Sequence, residues 1–332
     1  MAHGREPCRL AACLRCTKAK GLKRRREADR TSALERPSTV RSRGATLGVE
    51  GPLVLAAILI GLNFVAIKVA VESIPPLLVG ALRFTLGGLL LLAFVRAMGL
   101  GGSRLTRRLF LTTLGIGLVG GTLYNITLNE GTSMTSASSA ALIMATAPVW
   151  GMFIAAGLGV ESLKATTLIG AGVSLVGVVL ILGRGLEGGG SSLVGDLLVF
   201  AASVCFGAYV VLSQTQHNRY PPLTIGAYTI FFGGLAIFPF TPVELASWEW
   251  SSVSAVSWIA VGYMAFVSTA LGYGVWQWGL SRIGVDRVLV YLYLVTLTGV
   301  VSSVVVLGEG FGLTKVLGAL VLLAGVYLAH RR

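Results

Sequence analysis

Two charged residues, Lys68 and Arg83, lie inside the long apolar runs of this chain, and both are positive. An ionised side chain there is costly in hydrocarbon unless it meets a partner or a wet cavity, so each marks a candidate site. Their chemistry is the attraction of a carboxylate or phosphate, as on an anionic or zwitterionic small molecule. Two quieter roles compete: Lys68 reaching outward or pairing with Glu72 one turn away, and Arg83 bonding exposed carbonyls or a headgroup phosphate. Glu72, Glu130, Glu161, Asp196, Asp286 and Glu309 all fall at the ends of runs, which leaves mid-membrane depth without a carboxylate. A carrier of cationic drugs needs such a group as counter-ion and proton carrier. That cargo is disfavoured.

Aromatic and amide residues within the runs form a second class: Asn63, Tyr124, Asn125, Trp150, Tyr209, Tyr228, Tyr273, Trp276, Gln277, Tyr291 and Tyr293. Near the end of a run such a ring belongs to the interfacial belt, while a central one offers a cavity an apolar face and a single hydrogen bond. Intramembrane catalysis finds no support. His3, His217 and His330 lie outside the apolar core, and no H-E-x-x-H or G-x-S-x-G motif occurs. Cys8, Cys13 and Cys16 crowd into the amino-terminal tail without a second matched pair, so neither a zinc site nor a disulfide framework is expected. No cofactor is called for.

What positions these residues is a set of apolar segments. Of 332 residues, 54% are hydrophobic and 12% charged, about half the charged fraction of a soluble domain. Ten apolar runs are legible at 51–71, 76–97, 108–128, 133–156, 165–183, 193–214, 223–243, 254–279, 286–307 and 313–330. Runs of about 20 residues cross a hydrocarbon core of roughly 30 Å as helices. Pro52, Pro75 with Pro76, and Pro221 with Pro222 stand at expected helix starts, where a missing N–H costs nothing. Pro148 in the fourth run is expected to kink its helix and free a carbonyl. Small residues at 117–121, 136–141 and Gly170-x-x-x-Ser174 point to close helix packing.

Charge sets orientation. With the amino terminus inside, the inner connections hold Arg96, Arg104, Arg107, Arg108, Lys164, Arg219, Arg282, Arg287, Arg331 and Arg332, and the outer ones only Arg184 and Lys315. The excess of basic residues on one side marks it as cytoplasmic, so both termini are expected there, in a multi-pass protein of the cell membrane. Residues 1–50 carry thirteen Lys/Arg against five acids, a net +8 of the chain's +13, and read as a disordered basic cytoplasmic tail. Basic balance of this kind, without a recognition motif, speaks for membrane lipid and against nucleic acid as a partner.

Sliding the chain along itself exposes an internal repeat. At an offset of 146, Pro75, Pro76, Gly80, Gly87 and Gly88 fall on Pro221, Pro222, Gly226, Gly233 and Gly234. At 148, Gly131, Glu161, Gly170 and Gly177 fall on Gly279, Glu309, Gly318 and Gly325. Thr229 takes the place of Arg83, so packing common to both halves does not demand the cation. A unit of five crossings must enter the membrane from opposite sides in its two copies. The expected fold is therefore all-α, ten transmembrane helices as two inverted-topology repeats, 51–183 and 193–332, joined by a linker at 184–192.

Asn63-Phe64-Val65-Ala66-Ile67-Lys68, the Pro75-Pro76 turn, Arg83-Phe84, Ala147-Pro148-Val149, Glu161, and Gly170 with Gly177 together resemble an EamA-type permease of the drug/metabolite transporter superfamily. The likeness spans about 51–331. It implies a central cavity bordered by the first, third, fourth, sixth, eighth and ninth helices, and so selects Asn63, Tyr124, Trp150, Tyr209, Tyr273 and Trp276, beside Lys68 and Arg83, as substrate-binding. In related small multidrug pumps a first-helix glutamate binds the cation, and here Asn63 stands mid-helix. The expected function is alternating-access transport, in the export direction, of a small polar or zwitterionic metabolite, an amino acid or derivative foremost. A non-transporting membrane scaffold or a lipid scramblase is the competing reading. Glu161 and Glu309 are expected to cap the helices that follow them.

Overall fold

The structure, a computed structural model, describes residues 43–99, 105–160, 165–182, 192–246, 248–250, 253–283, 285–310 and 312–330. The chain separates into two units, Met1–Gly48 and Val49–Arg332. Glu161 and residues 1–42, with the tail cysteines, lie outside the described residues.

Among the described residues seven helices are long and apolar enough to cross a membrane: α1 (Glu50–Val71), α2 (Pro76–Ala97), α3 (Arg107–Met134), α4 (Ala137–Gly157), α6 (Leu193–Gln216), α7 (Pro222–Phe240) and α8 (Ala255–Gly279). Three shorter apolar stretches, Ala165–Ile181, Tyr291–Leu307 and Leu313–Ala329, lie in the further helices α5 (Ala165–Leu182), α9 (Val285–Leu307) and α10 (Leu313–His330). Pro75 and Pro221 sit at the N-caps of α2 and α7, with Pro76 and Pro222 as first helical residues. Pro52 differs from expectation, because the first helix already begins at Arg43 and carries it in its interior. The fourth run breaks as its proline requires. One helical stretch ends at Met144 and the next starts at Ala147, with Val149 N bonded to Thr146 O across the junction.

Packing falls into matched pairs. α5 lies along α10, α2 along α7 and α4 along α9, while α3 packs on α6 as α8 does on α1, and α2 on α8 as α7 does on α3. Small residues make this closeness possible, since in lipid helices associate by dispersion and interlocking shape. A Cβ on Gly170 would sit 2.3 Å from Ala329 N, and one on Gly325 2.2 Å from Ser174 N. Gly88 and Gly234 do the same for α2 and α7, where a Cβ would meet Phe231 N and Thr85 N at 2.5 Å.

Two helices depart from α geometry at corresponding places. α3 is π-helical over Leu118–Leu123 and α8 over Tyr263–Tyr273. A wider turn re-aims the side chains that follow it, and such turns recur at functional sites.

Candidate functional site

Tyr124 is the first residue after the π turn of α3, and Tyr273 is the last of the π stretch in α8. Both are buried, and their hydroxyls face one another. Phe84 of α2 packs on both rings, 6.2 Å from that of Tyr124 and 6.1 Å edge-on from that of Tyr273. α6 extends the cluster through Phe206, 5.5 Å from Tyr124, and Tyr209, 5.9 Å from Phe206. Gln277 of α8 donates from Nε2 to Tyr209 Oη at 3.4 Å. Tyr209 is seated by Gly120, where a Cβ would lie 2.4 Å from that of Tyr209.

Arg83 enters this cluster from α2, about seven residues or roughly 10 Å below the helix start. It is 1% exposed, which removes a headgroup phosphate as its partner. Its Nε donates to Thr269 Oγ1 at 3.4 Å, and its Cζ lies 5.0 Å from the Phe84 ring centroid. Nη1 has no partner, and among the described residues no carboxylate pairs with the guanidinium. A cation buried with donors to spare is expensive, and an anionic group brought beside it recovers that cost. With the phenols and ring faces around it, the cluster can hold a small molecule bearing one negative group and an apolar portion.

The structure thus brings together four of the eight residues singled out by sequence, Arg83, Tyr124, Tyr209 and Tyr273, and adds Phe84, Phe206 and Gln277. Of the other four, Lys68, Trp150 and Trp276 make different contacts. Lys68 Nζ donates to the carbonyls of Thr132, Ser133 and Thr135 at 3.1, 3.1 and 2.6 Å, closing the carboxy-terminal end of α3. Trp150 packs on Phe153 and Phe200, at 6.0 and 5.2 Å. Trp276 belongs to a separate apolar cluster with Leu53 and Val288. Asn63 is buried in α1 with an unpartnered Oδ1.

Carboxylates work at the helix ends. Glu309 accepts from the N–H groups of Ala137 and Ser138, at 2.7 and 3.0 Å. It therefore caps α4, in the other half of the chain, and not the helix that follows it. The dipole of α4 explains the preference, since four N–H groups stand open at any helix start. Lys315 Nζ donates to Ser136 Oγ beside it at 2.9 Å. Glu244, in the short helix Pro242–Leu245, accepts from Leu77 N at 3.1 Å and meets the Glu130 carboxyl. Burial, then the contact with Glu130, push the Glu244 carboxyl up to about 7.

Comparison with known proteins follows the same lines. Residues 52–183 and again 193–331 match the pattern of the EamA-like transporter family. A protein of Archaeoglobus fulgidus named "Uncharacterized transporter" is 24% identical over 272 residues, 82% of this chain and 95% of its own length. A Salmonella typhimurium protein named "Probable amino-acid metabolite efflux pump" is 26% identical over 296 residues, 84% of this chain and 94% of its own. A crystal structure of a protein 20% identical in sequence superposes with a TM-score of 0.61, over 87% of this chain and 97% of that one, and shares the fold.

Proposed function

The chain belongs to the EamA-like transporter family and is a multi-pass membrane transporter, and from that premise we propose that it exports a small zwitterionic metabolite, an amino acid or a derivative of one. The observation that carries the cargo is the Arg83 guanidinium, buried, without a carboxylate partner among the described residues, and set over Phe84, which packs on Tyr124 and Tyr273. It supplies the counter-charge for a carboxylate, and the rings suit an apolar side chain. Tyr209 and Gln277 complete the polar lining. The efflux-pump name of the Salmonella typhimurium relative supports the direction.

The transport mode of this reading is alternating access between two inverted repeats, 51–183 and 193–332, giving ten crossings and both termini on the cytoplasmic side of the cell membrane. Its support is the pairwise exchange of packing partners and the π-helical stretches that share a place in both halves. Lys68 has a different part in it, holding the outer end of α3.

Purified protein in vesicles, offered a panel of amino acids, sugars, nucleotide sugars and cationic dyes, tests the proposal. Saturable movement of an amino acid or derivative is the expected result. Movement of cationic dyes alone would refute the cargo, and movement of lipid alone would leave the scramblase.

A further inference from the structure

Beside the buried cluster, α2 and α8 leave a groove on the face of the bundle with a volume of about 510 Å³. Its walls are Leu90 and Phe94 of α2, Leu223 of α7, and Phe266, Leu271 and Trp278 of α8, with no charged residue among the lining. Phe94, Phe266 and Leu271 are exposed at its rim.

α2 and α8 run parallel here. Gly87 faces Ala265 and Thr269, and one turn further Leu91 faces Gly274. Their ends therefore emerge together, with Arg96 in the last turn of α2 and Arg282 in the last turn of the helical stretch Gly274–Ile283 that continues α8. Arg282 lies one turn beyond Trp278 on the same face, with Cζ 5.7 Å from the Trp278 ring centroid. Arg96 is exposed, donates to Tyr228 Oη of α7 at 2.8 Å and does not line the groove. From Phe266 to Trp278 the groove measures roughly 15–18 Å along the helix, close to the depth of one leaflet, about 15 Å.

We propose that this groove binds one anionic phospholipid, its acyl chain lying between α2 and α8 and its phosphate resting on Arg282 at the groove mouth. A chain-long apolar slot that ends on an exposed cation beside an interfacial tryptophan has the two-part chemistry of such a lipid. A zwitterionic metabolite finds no polar partner along the slot, so this site is distinct from the Arg83 cluster and independent of the cargo.

The purified full chain, titrated in mild detergent with dioleoyl phosphatidylglycerol or dioleoyl phosphatidylcholine, reports adducts by native mass spectrometry. The first phosphatidylglycerol adduct is expected at a lipid concentration ~fivefold lower than for phosphatidylcholine, the factor one basic side chain contributes against an anionic headgroup. Arg282→Gln, an exposed change, removes that difference. Arg219→Gln, exposed at the same end of the bundle, preserves it. Ala270→Phe, which fills the groove, abolishes the first adduct of both lipids. Equal binding of the two lipids by the parent chain, or a preference that survives Arg282→Gln, overturns the proposal.

Discussion

Arg83 of α2 reaches Thr269 in the π-helical stretch of α8, Nε to Oγ1 at 3.4 Å, and so spends one donor of the guanidinium while Nη1 stays unpartnered. The geometry orients the cation without neutralising it. At the repeat-related position Thr229 is also buried, with no partner for its hydroxyl. The charge is thus a feature of one half alone.

Replacing Arg83 by Gln keeps most of the volume and removes the charge. A hydrogen bond to a charged group is worth about 1.5–3 kcal/mol, so the apparent KM for a carboxylate substrate should rise roughly 10- to 100-fold in vesicle transport at unchanged protein level. Arg83→Lys should recover part of the loss. Unaltered transport by the Gln variant would remove Arg83 from the site.

Tyr124→Phe and Tyr273→Phe separate the hydroxyls from the rings. Each keeps its packing against Phe84, so detergent-solubilised stability should hold, while substrate affinity falls about fivefold, the effect of roughly 1 kcal/mol for one neutral hydrogen bond. Phe84→Ala should do the reverse, losing about 3–5 kcal/mol of stability through the cavity it leaves. Thermal melts beside transport assays tell the two outcomes apart.

The start of α2 at Pro76 and of α7 at Pro222 was legible because a proline pair leaves the chain little else to do. Arg83 was legible because a cation in an apolar run stands out. Which face of each helix turns inward was not, since lipid and protein interior select the same apolar residues and blur the amphipathic signal. Tyr273 and Trp276 therefore looked alike in sequence, yet one faces Tyr124 and the other packs on Leu53 and Val288. The π turns were hidden for another reason. They lie where Gly120 meets Tyr209 and Gly87 meets Thr269 across helices, and no local pattern encodes those contacts. Gln277 carried a signal, as a buried amide next to a tryptophan, but only its bond to Tyr209 shows its direction.

Lys68 gives a test of position against charge. Three carbonyls at the end of α3 hold its ammonium. Lys68→Met should therefore cost about 1–3 kcal/mol of stability, as a helix end loses its charged partner, and leave KM within a factor of about two. Glu309→Gln should behave alike, weakening the cap on Ala137 and Ser138. An elevated KM for Lys68→Met at an unchanged melting temperature would return Lys68 to the substrate site.

Burial of the Glu244 carboxyl, together with its contact with Glu130, makes stability depend on pH near neutrality. With the folded Glu244 carboxyl pushed up to about 7 from an ordinary value of 4.5, the folded protein holds a proton between those values that the unfolded chain has released. Stability from this group is complete below about 4.5 and is withdrawn as pH rises through 7, where two carboxylates meet and the backbone N–H groups of Leu77 and Leu78 offset only part of the cost. The melting temperature should therefore fall between pH 5 and pH 8. Glu244→Gln keeps an acceptor for Leu77 N and gives Glu130 a donor, so the slope should flatten while the value at pH 5 changes little. Differential scanning fluorimetry on the two proteins across that range measures it, and parallel slopes would show that this pair does not share a proton.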